Sequence, residues 1–182
     1  MSFSDFLKSN TANRRRGVTL ACAAIAIVFS VGAGVSQVKG VVKEAENEFS
    51  ASVEPSLNNI SSAANGLTSV LTNYPEAQAE MTDLRTARNA LIDADDTREK
   101  TEAYRDITEA FNSAYEVVDT LNLDDTTLRN ASAYKSSFDT AVNGIAASDY
   151  NELAENAASE LSGPLAKAYM GIAGVSIPEV ME

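Results

Sequence analysis

Histidine and tryptophan are absent from this 182-residue chain, cysteine occurs once and proline four times. Without histidine there is no Ser-His-Asp triad, no Cys-His pair and no Glu-x-x-His ligand set of a di-iron bundle. The single cysteine, Cys22, sits inside an apolar run, so no intrachain disulfide forms and no Cys/His zinc site can be assembled. The expectation is a protein that is not an enzyme, with no catalytic residues, no metal ligands and no cofactor. Aromatic residues are also sparse, which leaves a core built mainly from Ala, Leu, Ile and Val and favours helices.

Negative charge is abundant instead. The net charge of −12 divides unevenly: residues 1–38 hold Lys8 and Arg14, Arg15 and Arg16 against Asp5, and nearly all the acids follow. Between those arginines and Lys39, Gly17 to Val38 is an uncharged run of 22 residues. At ~1.5 Å per helical residue it reaches about 33 Å, enough for a ~30 Å hydrocarbon core. Basic flanks stay on the cytoplasmic side, so the sequence predicts a cytoplasmic N-terminus over residues 1–16, a transmembrane helix over 17–38 and an exported remainder in a single-pass protein of the cytoplasmic membrane. A cleavable signal peptide competes, because small residues Gly32-Ala33-Gly34 follow the apolar stretch; cleavage would release a secreted soluble bundle. Lipidation of Cys22 is disfavoured by the short stretch ahead of it, and Gly32 and Ser36 form a small-x-x-x-small pair that could join two spans. The anionic exported part repels nucleic acid, so no nucleic-acid partner is expected.

Beyond Lys39 the apolar residues recur at helical spacing. Val42, Ala45, Phe49, Val53, Leu57, Ile60, Ala64, Leu67 and Leu71 make one stripe on a long first helix, with Pro55 predicting a kink or short break near Glu54. Ala77, Met81, Leu84, Ala87 and Leu91 mark a second helix over 76–93. Tyr104, Ile107, Phe111, Ala114, Val118 and Leu121 mark a third, opened by an Asp96/Glu99 capping box. A single fourth helix is outlined by Ala131, Tyr134, Phe138, Ala141 and Ile145, then Leu153, Ala157 and Leu161. No period-two stretch suggests a strand. The fold class is all-α: a transmembrane helix followed by an antiparallel three- to four-helix bundle over 39–170 and an apolar tail over 171–182.

Few residues suggest chemistry. Asp93, Asp95, Asp96 and Glu99 are the densest acidic cluster but lack calcium-loop spacing, and are read as a helix cap, like Asp124-Asp125. The aromatic series Tyr104, Phe111, Tyr115, Tyr134, Phe138 and Tyr150 could line a pocket between helices but falls on the core stripes. The triplets Asn59-Ile60-Ser61 and Asn130-Ala131-Ser132 match the glycosylation pattern on segments that read as helix, and are set aside.

Three segments carry a family resemblance: Val53-Glu54-Pro55-Ser56-Leu57, Thr86-Ala87-Arg88-Asn89-Ala90 and Asp149-Tyr150-Asn151, with a looser match in Ile177-Pro178-Glu179. In this order, after one N-terminal span, they resemble the LemA family of bacterial membrane-anchored proteins. Departures are the lack of an early Trp, near Phe49, and of basic residues where Ser50-Ala51-Ser52 stand. The resemblance implies an exported helical bundle without catalytic activity. The expected function is thus a non-enzymatic scaffold of the cell envelope, held in the lipid bilayer through residues 17–38, with another envelope protein or a second copy as partner. The alternative is an extracytoplasmic small-ligand sensor working with a separate signalling subunit.

Overall fold

The computed structural model describes residues 30–181. The expected cytoplasmic segment 1–16, positions 17–29 of the expected span, and Glu182 lie outside the described residues. The rest of that span, 30–38, is α-helical, and among the described residues no helix is long and apolar enough to cross a membrane. The described chain is helical, with no strand among the described residues.

Residues 30–48 form α1, Phe49–Val53 a π-helical turn and Glu54–Leu71 α2. Pro55 explains the turn. It offers no N–H to the carbonyl four residues back, and just before it the Glu54 N–H reaches to the Phe49 carbonyl, five residues back. The break expected near Glu54 is therefore a widened turn through which the helix continues. Pro75–Ala77 makes a 3₁₀ turn leading into α3, Gln78–Asp93, and α4 covers Thr97–Val118. Then come α5, Asp125–Ala146, α6, Tyr150–Glu160, and α7, Pro164–Ala173.

Two compact units divide these elements. Among the described residues the larger comprises Val42–Glu160 with the tail from Ser176, and the smaller comprises 30–41 with Leu161–Val175. In the larger unit α2 packs along α5 and α3, and α3 along α4. The direction of the α2/α5 pair is readable from two close approaches: a Cβ on Gly144 would lie 3.1 Å from Ser56 Oγ, and one on Gly66 would overlap the Tyr134 ring. Numbers fall along α5 as they rise along α2, so the pair is antiparallel. All nine apolar residues expected inward on the long first helix are buried, as are the five on the second. At the centre Phe111 and Phe138 stack with centroids 3.8 Å apart and planes 9° from parallel.

The fourth helix differs from expectation. It is interrupted at Ala147–Asp149, where the Ser148 hydroxyl donates to the Ile145 carbonyl at 2.7 Å. Continued in phase from Ile145, a single helix would turn Asp149 and Glu152 inward. The break rotates the register so that Tyr150, Ala154 and Ala157 are buried and Leu153 is only half-buried.

In the smaller unit α7 runs on to Ala173 and ends at Gly174, whose φ of 68° is left-handed and suits glycine. α7 is thus a ten-residue helix. Its Tyr169 ring lies where a Cβ on Gly34 would be, whereas Gly32 has open space around it. Within this unit Gly34 makes the close approach of α1 to α7.

Candidate functional site

The first residues of the apolar tail expected over 171–182 belong to α7, which runs to Ala173. The tail's segment from Ser176 to Met181 is irregular and docked on the bundle, with Pro178 and Met181 buried. An extended segment carries backbone groups without helical partners, and burying them requires partners elsewhere. The bundle supplies them. Asn151 Nδ2 donates to the Met181 carbonyl at 2.9 Å, and Asn151 Oδ1 accepts from the Met181 N–H at 2.9 Å. The Tyr150 hydroxyl donates to the Glu179 carbonyl at 2.8 Å, and Arg105 Nη2 donates to the Val180 carbonyl at 3.3 Å. Three consecutive carbonyls and one N–H are thus read through the main chain. Among the described residues only the Arg98 to Glu179 carboxylate contact, 3.4 Å and exposed, addresses a tail side chain by charge.

The break before α6 makes this groove possible, because it places Tyr150 inside and Asn151 at the rim. Phe49, at the start of the π turn, meets the Tyr150 ring edge-on at 5.2 Å between centroids. Burial pushes the Tyr150 hydroxyl well above the ordinary tyrosine range, and the nearby Glu179 carboxylate adds to the shift. Tyr150 is therefore a neutral hydrogen-bond donor at any physiological pH. Tyr104 is likewise raised by burial, partly offset by Thr108.

Beside the tail lies a half-open cleft of about 390 Å³, bordered by Phe49, Glu54, Asp95, Arg98, Lys100 and Ile177. Lys100 Nζ pairs with Glu54 Oε1 at 2.6 Å and stands 5.6 Å from the Phe49 ring centre. Glu54 and Phe49 come from the π turn and its exit, so the proline-induced turn shapes one wall. The opposite wall is the α4 start, where Asp96 Oδ1 accepts from the Glu99 N–H at 2.8 Å and Glu99 Oε2 accepts from the Asp95 N–H at 3.0 Å. The Asp96/Glu99 pair acts as a cap, as its spacing predicts, but the returning carboxylate takes the amide one residue earlier than a standard capping box.

The remaining candidate residues have structural positions. Asp124 caps α5, accepting from the N–H groups of Thr126 and Thr127 and from the Thr127 hydroxyl at 2.6 Å; that hydroxyl bond leads the effects holding its carboxyl below the usual range. Tyr104, Phe111 and Phe138 are buried core residues, while Tyr115 and Tyr134 are half-buried beside it. Asn59 lies on α2 and Asn130 on α5. Among the described residues no three Asp, Glu, His or Cys side chains are grouped closely enough to hold a metal ion. Arg88, in the second segment that carries the resemblance, reaches from α3 to the Ser61 carbonyl at 3.1 Å and ties α3 to α2.

Sequence reasoning did not pick out Asn151, Tyr150 and Arg105 as a group that binds anything. The only signal was indirect, since Asp149-Tyr150-Asn151 and Ile177-Pro178-Glu179 carried the resemblance separately and meet in the fold. No known family model, characterised protein or solved structure matches this chain.

Proposed function

We propose that the chain is a LemA-like, single-pass membrane protein whose extracytoplasmic helical bundle acts as a non-enzymatic scaffold of the cell envelope. Residues 17–38 anchor it, with residues 1–16 in the cytoplasm. The observation that carries the scaffold reading is the groove at Tyr150 and Asn151, which holds an extended segment by its main chain. Recognition of this kind accepts many sequences, because the backbone groups are common to all, while pockets such as those of Pro178 and Met181 add selectivity. The tail occupies the groove in the isolated chain, and an extended segment of a second copy or of another envelope protein presents the same groups.

Three measurements test the reading. Protease added to intact spheroplasts is expected to digest the bundle, and the intact mass of membrane-extracted protein is expected to equal that of the full chain; a mass lacking the first 34 or so residues would establish a secreted bundle instead. In mild-detergent extracts the protein is expected to self-associate or to bring down one reproducible envelope protein, in an amount altered by Asn151→Ala. A monomer without company, indifferent to that substitution, would refute the scaffold.

A second reading is favoured by the cleft beside the tail, whose volume lies in the range of small-ligand sites. A sensor of this kind would bind a small molecule between Arg98, Lys100 and the π turn and signal through a separate subunit. Binding to the folded state raises apparent stability, so a thermal-shift panel of metabolites and cations decides it. No shift with any compound removes the sensor.

A further inference from the structure

We propose that α7 lies on the outer surface of the membrane that anchors the chain, with Leu165 and Ile172 entering the lipid. This rests on the anchored reading of residues 17–38. Among the described residues four large hydrophobic side chains are exposed, and two of them, Leu165 at 71% and Ile172 at 64%, are on this one helix. They are seven residues apart, with exposed Ala168 between them, so they share a face. By composition α7 is more apolar than any of α2 to α6, yet Met170 is the only residue it buries. A helix that is apolar and uncovered is out of place in water.

Charge points the same way. From Leu161 to Pro178 no acid occurs in a chain otherwise dense with them, and Lys167 is the only charged side chain. The longer acid-free stretch in α2 has an ordinary cause, since α3 and α5 cover that helix and bury eight of its residues, whereas among the described residues α7 buries Met170 alone. An absence of carboxylates next to an exposed apolar face suits a headgroup layer, where an acid would meet lipid phosphate and Lys167 would pair with it.

Position supplies the third argument. Tyr169 packs on Gly34, and Gly34 is four residues before Val38, the end of the apolar run. At ~1.5 Å per residue that is about 6 Å inside the outer end of the span, at the depth where tyrosine rings gather and where interfacial helices lie. The contact thus holds α7 at the membrane surface, with its Leu165–Ile172 face free.

Because the chain has no tryptophan, each single substitution creates one unambiguous fluorophore. Full-length Leu165→Trp, Ile172→Trp, Ile92→Trp and Val28→Trp variants are reconstituted into bilayers with or without brominated acyl chains. The proposal expects Trp at 165 and at 172 to emit at shorter wavelength and to lose about half its emission or more to the bromines, as Val28→Trp does, while Ile92→Trp, an exposed site on α3, is unaffected. Quenching at 28 without quenching at 165 and 172 overturns the proposal and leaves the anchor standing. A blue shift without quenching also overturns it, by showing that protein, such as a second copy, covers the face. No quenching at 28 removes the anchor and the proposal together.

Discussion

Asn151→Ala removes two hydrogen bonds to Met181. Ordering the six tail residues 176–181 costs roughly 6–12 kcal/mol of backbone entropy, at about 1–2 kcal/mol each. Against this stand four main-chain hydrogen bonds at about 1 kcal/mol each and the burial of Pro178 and Met181 at about 1.5–3 kcal/mol each. The two sides nearly cancel, so the docked tail is marginal. Loss of about 2 kcal/mol then shifts its open-to-closed ratio by about 30-fold. Hydrogen exchange of the tail amides and the rate of carboxypeptidase digestion should rise accordingly, while exchange in α2 to α5 stays at wild-type level. Asn151→Asp sharpens the test. An ionised carboxylate can accept from the Met181 N–H but repels its carbonyl; protonated, it can donate again. The docked state therefore raises this carboxyl's pKa, so tail protection in the variant should be present at low pH and lost as pH rises through the carboxylate range. Unchanged tail exchange in Asn151→Ala, or equal loosening of the whole bundle, would refute the clamp.

Asp124→Ala should lower the melting temperature at neutral pH by uncapping α5. The Asp124 carboxyl is held below its ordinary pKa, so its contribution is present above the unfolded value and disappears as pH falls through the folded one; melting curves of wild type and variant should converge in acid. Tyr150→Phe should cost about 1 kcal/mol at pH 7 by leaving the Glu179 carbonyl short of a donor. Since Tyr150 is raised, the wild-type advantage is full below the ordinary tyrosine pKa and should shrink above about pH 10, as seen by chemical denaturation across that range. Phe138→Ala should destabilise by about 3–5 kcal/mol through loss of the stack with Phe111, measured by urea unfolding. Gly66→Val should be strongly destabilising because its side chain would occupy the Tyr134 ring position, and Tyr134→Ala in the same chain should restore part of the loss; a Gly66→Val protein as stable as wild type would contradict the close approach of α2 and α5.

Most of the helical layout was legible because burial repeats locally. From Val42 to Leu71 and from Tyr104 to Val118 each inward residue lies three or four positions from the next, and the helix period alone predicts the face. The caps at Asp96 and Asp124 were legible for the same reason, since donor and acceptor are within three residues. Where the period is interrupted the reading failed. Leu153 was placed on the inward stripe, but after the break at Ala147–Asp149 the fully buried places go to Tyr150 and Ala154, and Leu153 is half-buried against the core. Leu121 was placed on the stripe of α4, but the helix ends at Val118 and Leu121 is half-buried in the following turn. The proline at 55 predicted an irregularity near Glu54, and the structure gives it the form of a π turn through which the helix continues.

The composition and periodicity of the chain by themselves determined that its described residues are helical, that catalysis by histidine is excluded and that every acid except Asp5 lies after a long apolar run. Only the tertiary structure decided that the tail docks on Tyr150, Asn151 and Arg105, and that Gly34 is where a tyrosine ring fits. The reason is distance along the chain. Asn151 and Met181 are 30 residues apart and Arg105 and Val180 are 75 apart, so their pairing leaves no periodic mark in the sequence and arises when folding brings the groove and the tail together.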